Sequence, residues 1–178
     1  MIPMKQNKNA MKRVEFLLNS TSYQSYMENI RQWEKTRRFC RHDRNHMWEV
    51  ARTGYILYLS GEVVCPEFEA FSPTAVKEMI YAAAFLHDIG RFLEYEDASK
   101  DHSKESAVLA RPLLVEAGFS DAEVSLILHA IAMHRTKGTE GFDLLIYRAD
   151  KESRPCDDCP VLSECKKFSP EKPPVITV

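Results

Sequence analysis

The sequence predicts an all-α fold, a single-domain helical bundle. Apolar residues recur at helical spacing through the body of the chain, and no stretch alternates apolar and polar residues as a half-buried strand does. Proline, glycine and short polar residues fall where helices would start and stop. The 178 residues, 44% hydrophobic and 28% charged, fit one globular domain with short extra segments. The expected division is an N-terminal segment over 1–20, loose or a short helix, a helical domain over 21–155, and a Cys-containing, Pro-rich segment over 156–178.

The elements follow in order. Asp43 is placed to cap a helix through HMWEVARTGYILYLS, closed by Gly61, which puts His46, Val50, Gly54 and Leu57 on one face. Ser72-Pro73 starts a second helix, whose pattern Val76, Ile80, Ala83, Ala84 carries His87 onto the inward stripe. Gly90 is expected to end it. A third runs from near Asp101 to Gly118, with Pro112 as a kink. Ser120 with Glu123 forms a capping box for a fourth, whose apolar face is Val124, Ile127, Leu128 and Ile131. His134 falls near the edge of that face and His129 almost opposite it. Phe142, Leu145, Ile146 and Ala149 define the last helix, which ends near Asp150.

A histidine on an apolar stripe is ordinarily a satisfied core residue. The His87-Asp88 pair differs, because an ionised aspartate at the end of the apolar run YAAAFLHDIG is costly to bury, and a bound cation is one of few partners that offset that cost. HMWEVAR, AAAFLHDIGR and LLIYRADK together resemble the HD-domain superfamily of metal-dependent phosphohydrolases, over roughly residues 36–155. The resemblance implies that His46, His87, Asp88 and Asp150 hold a divalent metal, and that His102 and His134 bind a second metal or the substrate phosphate. His42-Asp43 is a second His-Asp pair, but Asp43 reads as the helix cap and leaves His42 just outside the helix, as a candidate to touch substrate or a metal ligand rather than to bind metal.

Imidazole and carboxylate together suit Mn, Fe, Co, Ni or Zn better than Mg, and one or two such ions are expected. A cation with open positions acidifies water and polarises a phosphoryl oxygen; a second, about 3.5–4 Å away, clamps the attacking and leaving oxygens. Asp88 and Arg91 are the candidate catalytic residues, Asp88 bridging metals or orienting water and Arg91 forking onto phosphate. Glu94, Arg135 and Lys151 are near enough to touch substrate, without an assigned catalytic role.

RPCDDCPVLSEC places Cys156, Cys159 and Cys165 in metal-binding spacing that lacks one ligand. Cys40 is the candidate fourth: it lies six residues before His46, as Cys156 lies six after Asp150, and six residues reach at most about 20 Å. Reduced loop cysteines, a structural Zn and an iron–sulfur cluster are all compatible with that spacing. Cys65 reads as structural.

The expected function is hydrolysis of a phosphate ester or phosphoanhydride, nucleotides included, as a nucleotidase, phosphodiesterase or pyrophosphohydrolase. The alternative is a non-catalytic metal- or nucleotide-binding sensor module. A net charge of −2 argues against general nucleic-acid binding. The absence of a long apolar run argues against a membrane span, and the polar start of the chain against a signal peptide, so a cytoplasmic protein is expected. Oligomeric state is not legible.

Overall fold

The thirteen consecutive residues Glu78–Gly90 are all buried, and the architecture is built around that stretch. In the computed structural model, which describes residues 11–168 and 171–174, the chain forms eight α-helices: α1 (Lys12–Asn19), α2 (Thr21–Trp33), α3 (Arg44–Leu59), α4 (Pro73–Leu86), α5 (Arg91–Glu96), α6 (His102–Glu116), α7 (Asp121–Met133) and α8 (Gly141–Glu152). Two 3₁₀ turns occur, at Pro66–Ala70 and Leu162–Glu164, and no β-strand is found among the described residues. The expected all-α bundle is what forms. None of the helices is long and apolar enough to cross a membrane.

Helix α4 is apolar on nearly every side, which marks a helix enclosed by others. It packs against α1, α3, α6, α7 and α8. Ala82, Ala83 and Ala84 let those neighbours come close. On α3, a Cβ at Gly54 would stand 3.3 Å from the Ile80 side chain and 3.4 Å from Ala149 Cβ, so the missing side chain lets α3, α4 and α8 meet. The buried Glu78 is paired: Arg13 of α1 reaches it at 2.7 Å and Glu123 of α7 at 2.9 Å.

The predicted start signals act as expected. Asp43 accepts from the His46 amide, Ser72 from that of Ala75, Asp101 from that of Ser103, and Ser120 and Glu123 close a reciprocal capping box. Gly61 and Gly118 follow their helices with φ of 75° and 82°, the left-handed conformation expected after a helix end. Helix α8 has no cap of its own; Glu67, far away in sequence, accepts from the Phe142 amide at 2.5 Å. Within the N-terminal segment 1–20, residues 1–10 lie outside the described residues. Lys12–Asn19 is helical and buries Val14, Leu17 and Leu18. In the C-terminal segment, 169–170 and 175–178 lie outside the described residues.

Gly90 does not end a helix in the way the sequence suggests. Helix α4 stops at Leu86, His87 to Gly90 form a turn, and Gly90 opens α5 with φ −86°, a value open to any residue. The requirement for glycine there is steric. A Cβ would stand 2.5 Å from the Ser106 amide nitrogen and 2.8 Å from the Glu105 carbonyl carbon, both backbone of α6. The Gly90 N–H also donates to Ser106 Oγ at 2.9 Å. This crossing brings α6, and with it His102, against the His87-Asp88 turn. Gly90→Ala should therefore lower unfolding free energy by about 1–3 kcal/mol in urea titration; an unchanged midpoint would show the crossing to be loosely packed.

Candidate metal centre

Alternate helix ends converge at one end of the bundle. His46 lies in the first turn of α3, His87 caps the C-terminus of α4 and is followed by Asp88, His102 begins α6, His134 caps α7, and Asp150 lies in the last turn of α8. All six are buried. Two sets of ligand atoms draw together, each within 4.8 Å: His46, His87, Asp88 and Asp150 in one, Asp88, His102 and His134 in the other. Every histidine and aspartate that the sequence singled out for metal or phosphate is thus in one cluster, and Asp88 belongs to both sets.

The hydrogen bonds around the rings indicate which nitrogen faces inward. His87 Nδ1–H donates to the Ala84 carbonyl and His134 Nδ1–H to the Ile131 carbonyl, each at 2.7 Å and three residues back. Both histidines end helices, so each bond also satisfies a carbonyl left over by the helix terminus. His102 Nδ1–H donates to Glu94 at 2.5 Å. In all three rings the Nε2 lone pair points toward the cluster, that of His102 accepting from Arg91 Nη1 at 2.8 Å.

Those lone pairs face carboxylate oxygens. His87 Nε2 stands 3.3 Å from Asp88 Oδ2 and 3.7 Å from Asp150 Oδ1, and is buried with no hydrogen-bond partner. His46 Nε2 is 3.3 Å from Asp150 Oδ1. On the other side, His102 Nε2 is 3.1 Å and His134 Nε2 3.6 Å from Asp88 Oδ1. Imidazole nitrogens facing carboxylate oxygens in a buried site need a proton or a cation between them; Arg91 and Arg154 supply N–H groups to His102 and His46, and His87 Nε2 is left without one. The donor set therefore fits divalent metal, with Asp88 Oδ2 toward one position and Oδ1 toward the other.

The electrostatics agree. Burial alone would raise the Asp88 carboxyl, but His87, Arg91, His42 and His102 hold it well below the usual carboxylate range. Asp150 is likewise held low against burial by His46, His87 and Lys151. Burial pushes His46 down to about 4 and lowers His134, so both are neutral imidazoles near pH 7, the ligating form. For His87 burial is outweighed by the two carboxylates, which push it up to about 10. A proton and a divalent cation answer the same negative field there.

Arg91 is mostly buried rather than solvated, its Nη1 3.4 Å from Asp88 Oδ1 and 2.8 Å from His102 Nε2, its Nε donating to the Tyr95 hydroxyl at 3.1 Å. Arg135 pairs instead with Glu94 and Asp101, and Lys151 with Asp150. His129 is exposed beside Asp143, away from the cluster. Cys65 is buried, as a structural thiol would be. From the sequence, His42 is only a candidate for touching substrate or a ligand side chain. It is buried, its Nδ1 held by Glu34 at 2.5 Å and its Nε2 3.9 Å from Asp88 Oδ2. Glu34 also accepts from Tyr95, and Arg154 donates to His46 Nε2 at 3.1 Å. No local signal marks Glu34 or Tyr95, which meet His42 only through the packing of α2 against α5.

A cavity of about 340 Å³ opens onto the cluster, lined by Asp88, Asp150, His42, His102 and His134 within and by Arg91, Arg135, Lys151, Arg154 and Lys167 around them. Cys40, Cys156 and Cys165 share its wall. The sequence model of the HD domain matches residues 44–163. An uncharacterized protein of Clostridium beijerinckii is 36% identical over 155 residues, covering 87% of this chain and 92% of its own. No solved structure gives a significant match.

Added Mn²⁺ or Co²⁺ should stabilise the fold, by about 2.7 kcal/mol at a free concentration about 100 times Kd. The affinity should strengthen from mildly acid to mildly alkaline pH, because the metal competes with the proton on His87. Thermal melts with and without metal across that range, on the parent and on His87→Ala, check this. A metal-induced shift that survived His87→Ala unchanged would place the binding elsewhere.

Proposed function

Because the chain belongs to the HD-domain superfamily of metal-dependent phosphohydrolases, we propose that it hydrolyses a phosphate ester or phosphoanhydride of a small molecule, nucleotides among the candidates. The observation that carries this reading is the placement of Asp88, whose two oxygens face two separate groups of imidazole lone pairs. His46, His87, Asp88 and Asp150 would hold one divalent ion, and Asp88, His102 and His134 a second ion or the substrate phosphate. When bound, such an ion supplies Lewis acidity, polarising a phosphoryl oxygen and making water acidic enough to attack near neutral pH.

The chain's own groups do the rest. Asp88 fixes the spacing between the two positions and accepts a hydrogen bond from the attacking water. Arg91, held by Tyr95 and Asp88, presents a guanidinium at the cavity wall, suited to a phosphoryl oxygen as charge builds there. Arg135, Lys151, Arg154 and Lys167 line the same cavity and favour an anionic substrate. Phe168 is the one phenyl ring on that wall among the described residues and offers a face for a nucleobase. The completeness of the buried ligand set supports an enzyme over a sensor module that binds without turnover.

Phosphate release should be screened over nucleoside mono-, di- and triphosphates and generic mono- and diesters with each candidate metal. With any substrate found, Asp88→Asn should lower kcat at saturating metal by at least about 10²-fold while helix content is unchanged. A variant that kept the parent's rate would remove Asp88 from the chemistry, and the proposal with it.

A further inference from the structure

The chain beyond α8 poses a separate problem. From Ser153 to Phe168 no side chain is fully buried. Yet the segment is wound into successive tight turns, with amide-to-carbonyl bonds from Cys159 to Cys156, Leu162 to Cys159, Glu164 to Val161 and Cys165 to Leu162. Fixing a residue's backbone costs about 1–2 kcal/mol of conformational entropy, and burial does not offset it here. Segments too small for a core are ordinarily held by disulfides or a metal. All five cysteines are free thiols.

Four of those thiols are gathered where such a staple would act. Cys40 stands between α2 and α3, more than a hundred residues from the others, but its segment is tied to the C-terminal one at two places. Arg38 pairs with Glu164 at 2.6 Å, and Arg154 Nη1 donates to the Arg41 carbonyl at 3.2 Å. Arg37 Nε holds the Cys40 carbonyl at 2.8 Å. Cys40, Cys156 and Cys165 line one cavity with Lys167. Cys159 completes the CxxC turn.

We propose that Cys40, Cys156, Cys159 and Cys165 form a four-thiolate metal centre, distinct from the histidine–aspartate cluster, that staples the chain after α8 to the chain before α3. Each thiol gives up its proton on ligation, so the centre forms with proton release and without change of oxidation state at sulfur. Bound this way, the segment becomes a fixed wall of the cavity rather than a tail. Four thiolates fit either a single tetrahedral zinc or a [4Fe–4S] cluster, in which each thiolate binds a different iron, and the metal content of the protein distinguishes the two.

The inference does not depend on the phosphohydrolase reading, and its test reads metal rather than turnover. Full-length protein isolated without oxygen would be assayed for iron, acid-labile sulfide, zinc and visible absorption, beside Cys40→Ser, Cys156→Ser/Cys159→Ser, Cys65→Ser and His87→Ala/Asp88→Ala. Zinc, or iron with sulfide, should be present in the parent, in Cys65→Ser and in His87→Ala/Asp88→Ala, and be lost from both variants that remove a proposed ligand. Cys40 is exposed, so its replacement by serine should leave the helical fold intact by circular dichroism. Limited proteolysis should then cut between Ser153 and Phe168 at least about tenfold faster in Cys40→Ser, as expected if about 1.4 kcal/mol of local stability is lost. Zinc lost with the cysteines would support a single-ion centre, and iron lost together with sulfide would support a cluster. Metal content unchanged in Cys40→Ser, or a parent whose metal is all lost with His87 and Asp88, would overturn the centre.

Discussion

The buried carboxylate of Asp88 sets the terms for the rest of the molecule. An ionised group at the core end of an apolar helix is tolerated only if its charge is answered on every side. Around it stand His42, His46 and His87 near one oxygen, and His102, His134 and Arg91 near the other. These come from five different stretches of chain, so satisfying one carboxylate brings α3, α4, α5, α6 and α7 to a single point. Asp150 of α8 joins through His46 and His87.

The rest of the bundle serves that convergence. Helix α4 can end at the centre because its small and apolar residues let other helices enclose it, and Gly90 lets α6 cross directly against the turn. Distant side chains finish what local sequence leaves open: Glu67 caps α8, and Arg13 pairs with both Glu78 and Glu123. Outside this frame the basic residues of the cavity give an anion a route inward, and the cysteine segment closes one side.

Much of this was legible in the sequence, for local reasons. Asp43, Ser72, Asp101 and Ser120 mark helix starts because a cap acts within three residues. His87-Asp88 announces itself because a charged pair on an apolar stripe has few structural explanations. What the sequence hid depends on tertiary contact. Gly90 reads as a helix terminator because glycine often is one, whereas its role is to admit the backbone of α6. His42 reads as a residue outside a helix, and only the fold shows Glu34 behind it and Asp88 in front. Helices α1 and α2 are amphipathic, and Ser20 caps α2 by accepting from the Tyr23 amide, but neither carries a candidate ligand that sets it apart in the sequence, while α5 is only six residues long and is positioned by packing. Charge partners such as Arg13, which are set by distances in space, leave no periodic trace.

The account stands on Asp88 facing a metal position on one side and a position for a second metal or a phosphate on the other. Anomalous diffraction from crystals grown with Mn²⁺, recorded at energies on either side of the manganese absorption edge, tests it most directly. The account predicts a peak among His46, His87, Asp150 and Asp88 Oδ2, and, when the second position also takes metal, another among His102, His134 and Asp88 Oδ1. Manganese found away from these residues, or none bound at a concentration that saturates the stabilising effect of the metal, would contradict it.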